Sequence, residues 1–289
     1  MISSMHKLKY LVNRSTLNKI YTIYIRPHFE YACEVWDGCT SEDSDKLERL
    51  QLQAARIVTG LPTYTSKRHL YFETGWETLK ERRRKRKLNQ FYKIYNGLAP
   101  TYLSDKLPAN VNTKSNYNLR NAGNVIVPFT RTTLAYVSFI PSTIRLWNEL
   151  PNEIRQCATV SSFKSSIRNR YVIAPDYYSY GVRKYCILLT KLRYSVSPLN
   201  NDLFKIGLSD SASCPCGNTC ENAVHYLFEC LKYSTYREDM LKNIQKITLH
   251  NVHINVNLLL NGCSDLNASE NETILQLVQL YIKQTQRFA

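Results

Sequence analysis

A mainly α-helical protein of two or three parts is what this chain predicts, and three observations carry the prediction. Apolar residues recur at helical spacing over most of its 289 residues. Each such stretch is bracketed by capping residues or by Gly and Pro. Only the connector beyond residue 105 has short apolar runs, such as Val125-Ile126-Val127, with the look of short β-strands. With 44% apolar and 21% charged residues and only 9 Gly and 10 Pro, collagen-like, low-complexity and wholly disordered chains are excluded.

In chain order, Ser15 reads as the N-cap of TLNKIYTIYIRPHFEYACEVW, where Leu17, Ile20, Tyr24, Tyr31 and Val35 recur near helical spacing and Pro27 should kink or break the helix. A second helix should open after Ser44 or Asp45 and run through KLERLQLQAARIVTG, with Leu47, Leu50, Ala54, Ile57 and Val58 on one stripe, to stop at Gly60 and Pro62. A short helix follows Ser66, and a longer one runs from about Leu79 to Tyr95, closed by Gly97 and Pro100. Residues 1–105 thus read as a helical bundle. Residues 106–175 read as an irregular connector: Asn-rich polar sequence with the strand candidate to about residue 135, then helices near 143–150 and 161–170. The stretch 171–181, with Pro175 and four tyrosines, reads as a hinge. Residues 176–289 should form a smaller helical region, with helices near 184–194, around Leu203, at 234–247 and at 273–287, the last with an apolar face of Ile274, Leu277, Val278, Tyr281 and Ile282.

Lys and Arg number 38 against 23 acids, a net charge of +15, so the partner to expect is a polyanion, nucleic acid before an anionic membrane surface. The surplus is uneven: residues 1–100 hold 18 basic and 10 acidic side chains, 101–210 hold 14 and 6, and 211–289 hold 6 and 7, which assigns most phosphate binding to residues 1–210. Nine cysteines, an odd number, fall with four of them between 214 and 230. The N-terminal sequence carries no apolar signal core and no span approaches 18 apolar residues, so the expectation is an intracellular chain of nucleus or cytoplasm, reduced, with no membrane segment and a metal-binding cysteine cluster in place of a disulfide framework.

That cluster is the sharpest signal. In SCPCGNTCENAVHYLFEC, Cys214, Cys216, His225 and Cys230 have the spacing C-x-C-x8-H-x4-C. Three thiolates and an imidazole complete a tetrahedral zinc site with no position left open, which is a structural composition. Gly217 suits the turn that presents two sulfurs to one ion, because it tolerates positive φ. Cys220 competes: Cys216, Cys220, His225 and Cys230 have the spacing C-x3-C-x4-H-x4-C, so five candidates stand for four places. The plain alternative is a loop of unliganded thiols.

The second signal is the run Arg82-Arg83-Arg84-Lys85-Arg86-Lys87 on a helix that continues into Phe91, Tyr92 and Tyr95. Such a run can track phosphates. Six consecutive residues cover every side of a helix, however, and a solvated helix end or a nuclear-import address has the same composition. The 21 tyrosines offer stacking platforms for bases, although packing is their commoner use. No catalytic constellation is found: there is no Asp-Asp pair, Gly-rich phosphate loop, G-x-S-x-G or H-E-x-x-H. Asp43 and Asp45 read as helix-capping sequence, and His28 and His69 as ordinary packing or surface residues.

Several of these strings together resemble the region downstream of the polymerase palm in non-LTR (LINE-type, jockey-like) retrotransposon reverse transcriptases. They are YIRPHFEYACEVWDG at 24–38, ERLQLQAARIVTG at 48–60, LKERRRKRKLNQFYKIYNGLAP at 79–100, LWNELPNEIR at 146–155 with SSFKSSI at 161–167, and LTKLR at 189–193 leading into the Cys/His cluster. The resemblance spans nearly the whole chain. It implies a helical thumb-like segment, a connector and a C-terminal CCHC element that contacts template RNA or target DNA, with Cys214, Cys216, His225 and Cys230 as the metal ligands and Cys220 spare. The aspartate-bearing palm and the endonuclease of such elements have no counterpart here, and the one Pro-Asp, Pro175-Asp176, precedes the cluster, where some relatives place it after. The chain is therefore expected to bind nucleic acid without catalysing RNA-directed DNA synthesis. The other expectations are a protein-interaction scaffold docking on a palm-containing polymerase supplied in trans, and a truncated transposable element with no function.

Overall fold

The computed structural model of the chain describes residues 1–111, 123–168, 173–248 and 252–288. Helix accounts for 64% and strand for 1% of it, so the mainly α prediction stands. Parts of the polar connector (112–122), of the helix expected at 161–170 and of the hinge at 171–181 lie outside the described residues. The chain divides into two compact units, each discontinuous in sequence: Met1–Ile23, Leu52–Trp76 and Val172–Ala289 form one, and Tyr24–Gln51 with Glu77–Tyr171 form the other.

In the first hundred residues the helices are Ile2–Leu8, Arg14–Ile20, Arg26–Glu30, Cys33–Trp36, Ser41–Thr59, Lys67–Thr74 and Leu79–Tyr95. Two starts differ from expectation. The cap at the first is Asn13, whose Oδ1 accepts the Thr16 N–H at 2.8 Å, so Ser15 lies inside the first turn. The Ser41–Thr59 helix begins ahead of Ser44, because Thr40 Oγ1 accepts the Asp43 N–H at 3.2 Å. Its expected stripe also shifts: Leu50 is exposed, whereas Leu52, Ala54, Ala55, Ile57 and Val58 are all buried, enclosing the last turns on most sides. Pro27 breaks the first long segment by a specific route. A π-helical turn, Tyr21–Ile25, runs directly into Arg26–Glu30, and Pro27 sits in the first turn of that helix, where its missing N–H costs no hydrogen bond.

No strand forms around Val125; it makes an isolated bridge with Asn110. Its N–H and carbonyl are instead satisfied by the side-chain amide of Asn148, at 3.0 and 2.8 Å. The unit holding it is organised by the Leu79–Tyr95 helix. Leu88, Phe91 and Tyr92 on that helix meet Trp147 of the Phe139–Asn148 helix and Phe163 of the Val160–Ser166 helix, with Phe91 and Trp147 centroids 5.1 Å apart and Tyr92 stacked on Phe163 at 4.5 Å. Burying each such ring contributes roughly 1.5–3 kcal/mol.

The other unit has its core where the Arg183–Arg193, Ser234–Thr248, Val256–Asn261 and Ala268–Thr285 helices converge through Leu188, Leu192, Ile244, Leu259, Ile274 and Val278. The last helix starts five residues ahead of the expected 273, because Asn267 and Glu270 form a reciprocal capping box. A buried charge centre joins two more segments of this unit, the Arg14–Ile20 and Lys67–Thr74 helices, to the end of the Arg183–Arg193 helix. Glu73 takes Arg14 Nη1 and Arg193 Nη1, each at 2.7 Å, and the Tyr194 hydroxyl at 2.9 Å. Burial pushes the Glu73 carboxyl up, but the two guanidiniums outweigh it and hold the group below the usual carboxylate range.

Candidate metal centre

The segment 212–221 folds back on itself without forming strands. Glu221 N–H reaches the Ala212 carbonyl at 2.7 Å, and inside that link Cys214 N–H reaches Asn218 O at 2.8 Å and Gly217 N–H reaches Cys214 O at 3.0 Å. Gly217 takes φ +97 with open space where a Cβ would be, so glycine serves here for conformation and not for room. This knuckle presents Cys214 and Cys216. Asn222 Oδ1 then accepts the His225 N–H at 2.8 Å and starts a π-helical turn, His225–Glu229, closed by Cys230 N–H on the His225 carbonyl at 2.8 Å. The π turn matters for the H-x4-C spacing. At 3.6 residues per turn, residues five apart point roughly 140° away from each other, and the wider turn brings them back toward one side.

Four ligand atoms meet as a result. The donors of Cys214, Cys216, His225 and Cys230 all lie within 4.8 Å of one another and can hold a metal ion such as zinc. Cys214 and Cys230 sulfurs are 3.8 Å apart, and Cys216 Sγ is 3.3 Å from His225 Nε2. A tetrahedron with zinc–sulfur bonds of about 2.3 Å and zinc–nitrogen bonds of about 2.0 Å has edges of about 3.8 and 3.5 Å, so the observed spacings suit an ion of that size. The other imidazole nitrogen, Nδ1, is buried without a hydrogen-bond partner, and the Glu229 carboxylate is 3.5 Å from it. Burial pushes the Cys214 thiol up to about 12 and raises Cys230. The Asn218 backbone N–H draws Cys216 down to about 7.

Cys220, the fifth candidate, is outside the cluster; its sulfur receives Asn222 Nδ2 at 3.4 Å. Two supports were not legible beforehand. Glu221, buried beside Cys214, holds Arg287 in a bidentate pair at 2.7 and 2.6 Å, and Tyr226 in the π turn bonds Thr285 at 2.6 Å and receives Tyr281 at 2.6 Å. The first ties the knuckle to Arg287, two residues beyond the last helix, and the second ties the π turn to that helix; Cys214, Tyr226, Leu227 and Cys230 belong to the same core as the helix.

The basic run is placed very differently from a phosphate track. Every one of its six cations lies beside a carboxylate of its own unit. Arg82 and Arg86 face Glu30, with Glu34 also near Arg86. Arg83, only 2% exposed, bonds Asp37 at 2.7 Å and Ser44 at 2.6 Å, and Lys87, 4% exposed, bonds Asp37 at 3.1 Å and Ser142 at 2.7 Å. Arg84 pairs with Glu81 at 3.2 Å and Lys85 with Glu77 at 2.7 Å. The complementary signal is in the sequence: Glu30, Glu34 and Asp37 recur at i, i+4 and i+7. Asp43 lies in the first turn of its helix, where its carboxylate accepts the Thr40 hydroxyl at 2.9 Å while Thr40 is the cap, His69 stacks on Tyr194 with centroids 4.2 Å apart, and His28 is exposed. All nine cysteines are free, and no helix among the described residues is long and apolar enough to cross a membrane.

No protein-family model matches the chain, and neither a curated protein nor a solved structure is found to be similar to it.

Proposed function

We propose that this chain is a nucleic-acid-binding module built on one structural zinc ion. It would correspond to the post-palm thumb and CCHC part of a non-LTR retrotransposon reverse transcriptase, binding RNA or single-stranded DNA while the polymerase chemistry belongs elsewhere. Cys214, Cys216, His225 and Cys230 would hold the zinc, whose contribution is to lock the knuckle against the last helix; no ligand position remains for substrate.

The observation that carries the reading is the distribution of unneutralised charge. The unit that contains the cluster has 18 basic and 11 acidic side chains, and among its described residues only Arg14, Arg193 and Arg287 of those cations are in ion pairs. Cations without carboxylate partners are the ones that release counterions from a polyanion on binding. The 82–87 run, held by internal carboxylates, has the smaller part in this scheme. The test is a fluorescence titration of a single-stranded RNA at several salt concentrations between about 50 and 300 mM, where affinity should fall steeply and linearly on logarithmic axes. Superimposable isotherms at the two ends of the range would remove the phosphate argument.

A second reading has its own support. Tyr24, Tyr31 and Val35 are 63%, 81% and 82% exposed within one short stretch of the other unit, the character of a protein-docking face. Aggregation of the isolated chain, relieved by a palm-containing polymerase added in trans, would favour it.

A further inference from the structure

We infer that a groove in the metal-bearing unit, remote in sequence from the Cys/His cluster, is the seat of a single-stranded polynucleotide. The inference rests on the nucleic-acid reading above and adds the place and the manner of binding. The groove has a volume of about 700 Å³ and lies between the end of the first helix, the C-terminus of the Ser41–Thr59 helix and the Arg183–Arg193 helix.

Its walls combine two chemistries. Ile57, Leu61, Ile187 and Leu188 give an apolar floor. Lys9, Arg56, Lys184 and Lys191 give a cationic rim, with Arg183 behind it, and no Asp or Glu lines the groove. None of these five cations is in an ion pair among the described residues, in contrast to the whole of the 82–87 run. Arg183 is structural: it caps the C-terminus of the Ser41–Thr59 helix by donating to the carbonyls of Ile57 at 2.6 Å and Val58 at 3.1 Å, and it also donates to that of Lys9. The remaining four face no carboxylate; Lys9 Nζ lies 3.0 Å from the neutral His6 Nε2. Arg56 gives one bond to the Thr63 carbonyl at 3.1 Å and leaves its buried Nε without any partner, an unsatisfied donor at the groove. Gly60 lets the floor close: at φ +74, any Cβ there would stand 2.6 Å from the Ile187 side chain.

A ligand for this site must be anionic at several points and carry flat or apolar groups between them. A run of nucleotides does both, with phosphates on the rim and bases on the aliphatic floor. Tyr10, 78% exposed on the rim with Lys9 Nζ 4.7 Å from its ring centre, adds an aromatic face for a base. An apolar floor beside a cationic rim matches a strand's alternation of base and phosphate, where a layer of lipid headgroups offers the charge without the flat groups.

The experiment compares the zinc-loaded full chain with two double reversals of equal charge change. Lys184→Glu/Lys191→Glu alters the rim, whereas Lys242→Glu/Lys246→Glu alters the Ser234–Thr248 helix of the same unit, outside the groove. With an oligouridylate probe, the groove variant should bind about tenfold more weakly at low salt and lose roughly 1.4 from the logarithmic salt slope, about 0.7 per lost contact to a single strand. The control should keep the slope of the unaltered chain to within about half of that change. Photocrosslinking with a 4-thiouridine oligonucleotide should label Tyr10 or a floor residue. If the chain binds oligouridylate and both variants weaken it equally, or the crosslinks fall elsewhere, the groove assignment is overturned while the function stands. Absence of oligouridylate binding by the unaltered chain overturns both. Binding of phosphatidylserine vesicles that depends on Lys184 and Lys191, with oligouridylate indifferent to them, overturns the strand in favour of a lipid surface.

Discussion

Replacing Cys230 by serine tests the metal centre where the structure allows least compensation. Cys230 is fully buried, its sulfur 3.8 Å from that of Cys214, and it sits in the core beside Tyr226 and Leu227, both also fully buried. The knuckle that supplies the other two sulfurs is held by three backbone hydrogen bonds between residues 212 and 221, at about 0.5–1.5 kcal/mol each, a small sum beside the roughly 10–16 kcal/mol that structural zinc contributes in comparable sites. Loss of one ligand should therefore release the segment. Exposing Tyr226 and Leu227 alone would remove about 3–6 kcal/mol, at roughly 1.5–3 kcal/mol per side chain, a large fraction of the stability of an ordinary domain. The assay is zinc content of the purified chain by atomic emission, followed by urea unfolding with and without a chelator. One zinc per chain is expected, lost in Cys214→Ser, Cys216→Ser and Cys230→Ser, with a chelator-treated midpoint close to that of the variants. Cys220→Ser should retain the metal and change stability by less than about 0.5 kcal/mol, as surface substitutions do. A chain that purifies without zinc and unfolds at the same urea concentration after Cys230→Ser refutes the argument, and so does loss of metal in Cys220→Ser.

Three further outcomes follow from charges that the fold has placed. Glu73→Gln should cost about 3–5 kcal/mol in urea unfolding, since it leaves Arg14 and Arg193 buried around an uncharged amide. The same pair of proteins gives a pH test: with its folded-state carboxyl below the usual range, Glu73 contributes stability that is complete above the unfolded carboxylate pKa of about 4 and disappears as pH falls through the folded value, so the difference between the unaltered chain and Glu73→Gln should shrink in acid. Arg83→Met should destabilise the unit that contains it by about 1–3 kcal/mol, by removing a buried donor from Asp37, while the salt slope for RNA stays as it was; a shallower slope at unchanged stability would return the 82–87 run to the phosphate interface.

Local structure was legible wherever one residue or one spacing decides it. Ser66 caps the Lys67–Thr74 helix, Thr78 caps the Leu79–Tyr95 helix whose bounds match the expectation, and Gly60 ends its helix with positive φ. The Cys3His cluster was legible for the same reason, because metal chemistry demands few donors at short spacing. The capping box at Asn267 and Glu270 was readable as N-x-x-E but is outweighed in a hydrophobic pattern that begins only at Ile274. What periodicity does not encode is the partner of each apolar face. Nothing in the spacing of Leu52, Ala54, Ile57 and Val58 says that they group with residues beyond 172, and the pairing of Val125 with the Asn148 amide satisfies a strand-like segment without a second strand.

Charge shows the same division between composition and placement, with a larger consequence for function. The densest cationic string, 82–87, looks strongest in one dimension because sequence counts charges and leaves out their neighbours. In the folded chain Glu30, Glu34, Asp37, Glu77 and Glu81 stand against it, and two of its members are sealed from water. Its field at a phosphate is then that of a set of dipoles and decays faster than that of free cations. The near-neutral 211–289 segment errs in the opposite direction: it belongs to a unit that also contains Lys9, Arg56, Lys184 and Lys191, a unit with 18 basic and 11 acidic side chains. A polyanion approaching that unit meets cations held by neutral groups, the His6 imidazole at Lys9 and the Thr63 carbonyl at Arg56, and displacing those costs less than separating a buried ion pair. Affinity for a strand should accordingly track the scattered lysines around the groove, and the local density of Arg and Lys in the sequence should be a poor guide to it.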